Sequence, residues 1–282
     1  MGFLKFLQFR INCPQPYGAF HIVSILLVVL ATVALCIFCR NIKEKTLSKA
    51  LFIFWIVLVV LEIYKQFVFS YNIHDDGTVS WAYQWYAFPY QFCATPLTFI
   101  PFIALNKASN RVSAFIKEGC IAFACTFNLF AGLSVMIYPG DVFMPILGID
   151  IHTMIHHGGQ FALGIYLYVY YHNKLKFWSY LKALPVFGFF LVNAMVLNAI
   201  VPAFTSEVFN MFFISWKFPC TLPVLADIYT KVPYIIFLLI YIIGFAIAGF
   251  IIYNIVYWIT WLVDRQKPKE TDKYDNTILE FK

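Results

Sequence analysis

Charge is what this sequence has least of. Only 12% of its 282 residues are Asp, Glu, Lys or Arg. A water-soluble domain needs a polar shell that this chain cannot furnish. Runs of about ten residues with alternating hydrophobicity are also missing, which excludes a transmembrane β-barrel. There is no internal repeat and no low-complexity tract. The seven cysteines (Cys13, Cys36, Cys39, Cys93, Cys120, Cys125 and Cys220) are odd in number and lie mostly in apolar runs, so they make no disulfide framework. Cys36 and Cys39 have the spacing of a metal or redox pair, but no second pair accompanies them, and they read as small buried apolar residues. The start, MGFLKFLQFRINCPQPYG, lacks the basic n-region, long apolar core and small-residue cleavage site of a secretory signal. It reads as an interfacial segment leading into a first span. The net charge of +6 comes from short loops and forms no aromatic-basic surface, so nucleic acid is not an expected partner.

What is present is apolar. Hydrophobic residues make up 62% of the chain, and the mean hydropathy is +0.76. Repeated apolar runs near 20 residues predict an all-α, polytopic membrane bundle of about seven helices. The expected spans are 17–39, 48–71, 88–106, 112–137, 150–172, 180–201 and 233–262. Basic residues cluster in alternate connections: Arg40 to Lys49, Lys107 and Arg111, Lys174 and Lys176, and the segment after Arg265. Loops 72–87 and 138–149 contain no Lys or Arg. The positive-inside rule then places the N-terminus outside and the C-terminus in the cytoplasm. Residues 1–264 are expected to form one membrane domain and 265–282 a charged, disordered cytoplasmic tail. The long outer loop 202–232 contains FTSEVFNMFFISWKF, whose aromatics suit an amphipathic piece lying on the outer interface.

That orientation gives each polar residue a depth. Cys93 falls ~7 Å below the outer end of its span, His156 and His157 ~10 Å, and Asn198 ~6 Å, at 1.5 Å per residue. Asn128 and Asn193 lie deeper within the outer half, His21 lies near its outer end, and Glu62 and Lys65 occupy the outer part of the second span. Polar groups in hydrocarbon are costly unless they face a partner or a wet cavity. Their convergence predicts a polar pocket opening toward the outer leaflet. A thiol beside an imidazole can lose its proton and attack an ester carbonyl. His152 and His156 are four apart, share a helix face with Gln160, and have metal-ligand spacing. Glu62, His21 and Asp150 are the available third ligands, and a metal-dependent amidase is one chemistry that follows. His157 points about 100° away. Glu62 and Lys65, three apart, read first as a neutralising pair.

Four segments carry a family resemblance. FPYQFCATPL resembles the proline-x-x-x-cysteine element in the third span of YwaF-like and transmembrane protein 164-like membrane proteins. IHHGGQFALGIYL resembles their histidine-glycine element, NAMVLNAIVPAF their asparagine-bearing stretch, and VPYIIFLLIYIIGF their entry to the last span. The family includes an acyltransferase that moves fatty acyl chains between phospholipids with a cysteine nucleophile and a histidine. The resemblance therefore implies Cys93 as nucleophile and His157 as base. The doubled His156–His157 and the sequence NAMVLNA depart from the family pattern, which leaves His156 as the second candidate for the base.

The resulting expectation is an integral-membrane lipid acyltransferase, multi-pass in the cell membrane. Its partners are membrane phospholipids and lysophospholipids. Gln91, Asn128 and Asn198 are the candidate oxyanion donors. No cofactor is expected and no residue is assigned to a metal. Two alternatives stay open: a lipid ester hydrolase using the same Cys/His pair, and a non-enzymatic seven-span transporter or permease.

Overall fold

The computed structural model describes residues 2–140 and 142–265. The order of elements is α1 (Gly2–Leu7), α2 (Ala19–Phe38), α3 (Glu44–Phe69), β1 (Tyr71–Ile73), β2 (Val79–Trp81), α4 (Pro96–Ala104), α5 (Arg111–Phe123), α6 (Leu129–Ile137), α7 (Leu147–Tyr170), α8 (Ala183–Ile200), α9 (Leu225–Tyr229) and α10 (Tyr234–Arg265). The expected tail beyond Arg265 lies outside the described residues.

The structure is an all-α polytopic bundle. Among the described residues, five helices are long and apolar enough to cross a membrane: Ala19–Phe38, Glu44–Phe69, Arg111–Ile137, Phe177–Ala203 and Tyr234–Leu262. Two of the expected spans have a different character. Residues 150–172 do fall on a 24-residue helix, α7, but Asp150, three histidines and Gln160 make it markedly less apolar than the five. Residues 88–106 are not one helix. Pro89 holds Phe88 extended, a 3-10 turn covers Phe92–Ala94, and α4 begins only at Pro96. Proline disfavours a helical predecessor and is well suited to a first helical turn, which explains both the break and the restart. The nine residues of α4 extend only about 14 Å, less than half the ~30 Å hydrocarbon core.

A broken backbone among apolar helices must find hydrogen-bond partners within the protein. Side chains of the neighbouring helices supply them. Gln66 Nε2 donates to the Ala87 carbonyl at 2.6 Å, and Trp55 Nε1 to that of Leu97 at 2.8 Å. His156 Nε2 meets the carbonyl of Cys93 at 3.0 Å, and Gln160 Nε2 donates to the same oxygen.

The helix containing α5 and α6 is continuous but carries a π-helical turn over Ala124–Asn128. Such turns insert one extra residue and rotate the following side chains. Here the turn presents Asn128, whose Nδ2 donates to the Gln160 carbonyl of α7 at 3.2 Å. Just beyond it, α6 and α7 pack almost backbone to backbone. A Cβ at Gly132 would lie 2.6 Å from the His157 carbonyl oxygen and 2.7 Å from the Phe161 nitrogen. One at Gly164 would lie 2.7 Å from the Ala124 carbonyl oxygen. Small residues permit this approach where lipid gives no hydrophobic drive for association.

The basic connections share one end of the bundle. Lys117 pairs with Glu44 at 2.9 Å, Lys182 with Glu118 at 2.5 Å, and the Tyr166 and Tyr170 hydroxyls donate to the Cys39 and Ile42 carbonyls. At the other end, α1 is tied to the close of α3 and the start of α7. Gln8 Nε2 donates to the Val68 and Tyr71 carbonyls, and Ile11 N to that of Pro145. The connection after α3 contains a short antiparallel hairpin, β1 against β2, with Tyr71 opposite Trp81.

The 204–218 segment buries one side against the bundle, while Phe204, Val208 and Trp216 stay exposed. Phe209, Met211, Phe212 and Ile214 are fully buried. Phe212 and Phe213 both adopt φ of 58°, a left-handed conformation unfavourable for bulky residues. The strain is held by buried amides, as described below.

Replacing Gly132 or Gly164 by Ala should lower stability by about 1–3 kcal/mol, the usual cost of overpacking. Thermal unfolding in detergent would show the loss, and an unchanged midpoint for both variants would contradict the α6–α7 contact.

Candidate functional site

The site is built on the face of α7 that carries His152, His156 and Gln160. The i, i+4 spacing stacks the three side chains over successive turns. The His152 and His156 ring centroids are 5.3 Å apart. His152 and His156 are 6% and 3% exposed, and Gln160 is fully buried. Two elements face this stripe: the Cys93 turn, and α3 through Glu62, Lys65 and Gln66.

Glu62 is oriented by its neighbours. Its Oε1 accepts from Lys65 Nζ at 2.8 Å and from Gln66 Nε2 at 2.7 Å. Its Oε2 lies 3.5 Å from His152 Nε2, with no hydrogen-bonded partner. The expected Glu62–Lys65 pair is therefore present, but it engages only one carboxylate oxygen. One potential ligand atom each from Glu62, His152 and His156 fall within 4.8 Å of one another. Of the three residues named as a possible third ligand, the structure brings in Glu62. His21 is engaged elsewhere, accepting from Tyr17 N through Nδ1 and meeting the Met136 carbonyl through Nε2. Asp150 accepts from Met144 N at the start of α7.

The adjacent histidines differ in tautomer, assigned here from their partners. A carbonyl can only accept, so His156 carries its proton on Nε2, toward Cys93 O, and its Nδ1 keeps the lone pair. His157 has the opposite arrangement. Its Nδ1 meets the Thr153 carbonyl at 2.9 Å and carries the proton, leaving the lone pair on Nε2. His157 lies on the neighbouring face of α7, in sequence register with Phe161, and its ring centroid is 6.0 Å from that of His156.

Cys93 is half-buried and is joined to this cluster by its backbone. Among the described residues, no hydrogen bond joins its thiol to either imidazole. The contact is with His156 and Gln160; His157 is one face away. The three candidate oxyanion donors are dispersed. Asn128 joins the cluster from the π-helical turn, with its Oδ1 buried and unpartnered. Gln91 lies two residues from Cys93, but its amide donates to the Asn210 carbonyl and accepts from Phe212 N, both at 3.0 Å. Asn198 forms a reciprocal pair with Met211, donating to its carbonyl at 2.9 Å and accepting from its N–H at 2.7 Å. Gln91 and Asn198 thus hold the strained 210–213 backbone over the Cys93 turn. Asn193 bonds back to Phe189 on its own helix, apart from the cluster.

Gln66 had not been singled out in the sequence. Its one signal was the i, i+4 spacing from Glu62. The loop residue Asn210 gave no comparable sign; its side chain closes the segment by accepting from Ser215 N and donating to the Pro219 carbonyl.

A model of the TMEM164 family matches residues 16–257. The chain belongs to the TMEM164 family. The match spans every element from α2 into α10, and so includes the Cys93 turn, the α7 stripe and α3. No curated protein and no solved structure matches this TMEM164-family chain.

Asn198→Ala should cost about 1–3 kcal/mol by leaving the buried Met211 N–H unpaired. Amide hydrogen exchange should rise selectively over 210–215. Uniform exchange across that segment in both proteins would mean that Asn198 does not restrain it.

Proposed function

We propose that this protein is a lipid acyltransferase that carries the acyl group on Cys93 as a thioester. One observation supports the reading beyond the family resemblance: the Cys93 carbonyl is clasped by His156 and Gln160, so the backbone of this cysteine lies against the α7 face next to the one that carries His157. Cys120, Cys125 and Cys220, by contrast, belong to the buried hydrophobic core.

In the proposed reaction His157 Nε2 takes the thiol proton, and the thiolate attacks an acyl ester carbonyl of a phospholipid. The bond from acyl carbon to glycerol oxygen breaks, and the leaving oxygen takes the proton from His157. A lysophospholipid hydroxyl then gives its proton to His157 and attacks the thioester, regenerating the thiol. His156 positions Cys93 through the carbonyl bond, and its own Nδ1 is the alternative base. Asn128 is the oxyanion donor best connected to the cluster, while Gln91 and Asn198 act by holding the loop above it. An apolar groove of about 210 Å³ between α2, α6 and α7, lined by Ile25, Val28, Val29, Leu133, Met136 and Phe161, is suited to an acyl chain. Phe161 follows His157 by one helical turn, so the groove lies on the His157 side of α7.

The topology that goes with this reading has seven crossings in the cell membrane, with α7 and the broken third segment completing the five long helices. The α1 end faces out and the basic end faces the cytoplasm. A reporter placed in the 74–78 turn should read as external, and one at 107–110 as cytoplasmic.

Purified protein with a phospholipid bearing a labelled acyl chain should yield a hydroxylamine-sensitive adduct on Cys93, read by peptide mass spectrometry. The adduct should disappear in Cys93→Ala and form at least about 100-fold more slowly in His157→Ala, a typical general-base contribution. Added lysophospholipid should discharge it to a new phospholipid. Discharge to free fatty acid alone would make the protein a hydrolase, and absence of an adduct across lipid classes would refute thioester chemistry.

A further inference from the structure

Beside the Cys93 turn, the orientation of Glu62, His152 and His156 points to a metal site that none of the thiol chemistry requires. We infer that these three residues bind a first-row divalent transition ion, zinc by preference, cross-linking α3 to α7. The inference stands apart from the acyl-transfer reading, and its test does not depend on activity.

Three observations carry it. The first is ligand type and spacing. Two imidazoles at i, i+4 on one helix with a carboxylate from a second helix make a two-histidine, one-carboxylate set. Their ligand atoms lie within 4.8 Å of one another. Bonds of about 2.0–2.1 Å in a tetrahedron place neighbouring donor atoms roughly 3.3–3.4 Å apart. The Glu62 Oε2 to His152 Nε2 separation of 3.5 Å is close to that edge.

The second is that the outward sides of two ligands are already occupied. A metal-bound histidine characteristically donates its other N–H to a carbonyl or carboxylate. His156 does so through Nε2 to Cys93 O, which leaves Nδ1 as its free donor atom. Glu62 does the equivalent: Lys65 and Gln66 both bond Oε1, leaving Oε2 bare.

The third is the cost of leaving the cluster as it stands. Glu62 Oε2, both ring nitrogens of His152, and His156 Nδ1 are buried with no hydrogen-bond partner. All three residues are more than nine-tenths buried, at 6%, 6% and 3% exposure. An ionised or polar group left so in an apolar interior is strongly penalised. A cation at their common focus satisfies Oε2, one nitrogen of His152 and Nδ1 of His156 together.

The charges also define the remaining coordination position. One carboxylate offsets only part of a divalent charge, and the Lys65 ammonium is 2.8 Å from that carboxylate. A fourth ligand is therefore anionic, hydroxide in the absence of any other. With Nδ1 of His156 committed to the metal, His157 is the imidazole left for proton transfer at Cys93.

The test uses the full chain, purified in detergent without a polyhistidine tag and analysed by elemental mass spectrometry after dialysis against zinc. One equivalent of zinc per chain is expected. His152→Asn and Glu62→Gln should each lose at least tenfold of the bound metal, while Cys93→Ala should keep it. Cobalt substituted into the wild-type protein should give the visible d–d bands of a four-coordinate site without a sulfur charge-transfer band. That measurement holds whether or not a variant folds poorly. Less than a tenth of an equivalent after dialysis against zinc, cobalt, iron(II) and manganese in turn would overturn the inference. So would zinc retained in folded His152→Asn and Glu62→Gln, or a cobalt–thiolate band that vanishes in Cys93→Ala.

Discussion

Backbone polar groups in an apolar bundle must be satisfied from within the protein, and the rest of this structure is arranged around one place where a helix cannot do it. Pro89 and Pro96 interrupt the third apolar segment, Pro101 lacks the N–H that would bond Leu97, and together they release carbonyls that a continuous helix would have bonded. Those of Ala87, Cys93 and Leu97 are taken by Gln66, by His156 with Gln160, and by Trp55. Polar side chains on α3 and α7 therefore lie deep in the bundle because of the break. His156 joins that backbone to a cluster with functional potential, since its Nδ1 is left over once its bond to Cys93 is made and Glu62 and His152 lie beside it.

The supporting shell follows from that need. The π-helical turn brings Asn128 against the Gln160 carbonyl, and Gly132 and Gly164 bring α6 and α7 close enough for the contact to form. From the other side, Gln91 and Asn198 use their amides on the backbone of residues 210–212. This holds two left-handed phenylalanines in place above the Cys93 turn. Polar residues that look alike in the sequence thus divide into two groups. Some fix backbone and have little left to offer a ligand. Others, chiefly Glu62, His152 and His156, keep unpartnered atoms, and one potential ligand atom of each lies within 4.8 Å of the others.

That division was only partly legible beforehand. The stripe of His152, His156 and Gln160 could be read directly, because a helix repeats every 3.6 residues and the neighbours at i+4 follow from it. The depth argument placed Cys93, Glu62 and the histidines near one level; the structure brings Glu62 beside His152 and the Cys93 carbonyl against His156. It could not separate Asn198 and Gln91 from the cluster, since depth carries no information about azimuth or about a loop that folds back. Nor could it show that Cys93 faces His156 through its carbonyl. That contact depends on the path of a proline-broken segment, and no periodicity describes such a path.

By itself, the sequence determined that this is a polytopic helical membrane protein. Apolar run length and scarce charge leave no other way to satisfy the backbone. It also determined which residues share a face of α7, because local geometry alone sets that. Only the tertiary structure decided which helix faces that stripe and which atom of each side chain remains free. It also decided that Phe209, Met211, Phe212 and Ile214 of the 202–232 loop turn into the core. Those outcomes rest on contacts between segments far apart in sequence, 121 residues in the case of Gln91 and Phe212, and such contacts leave no local mark in the chain.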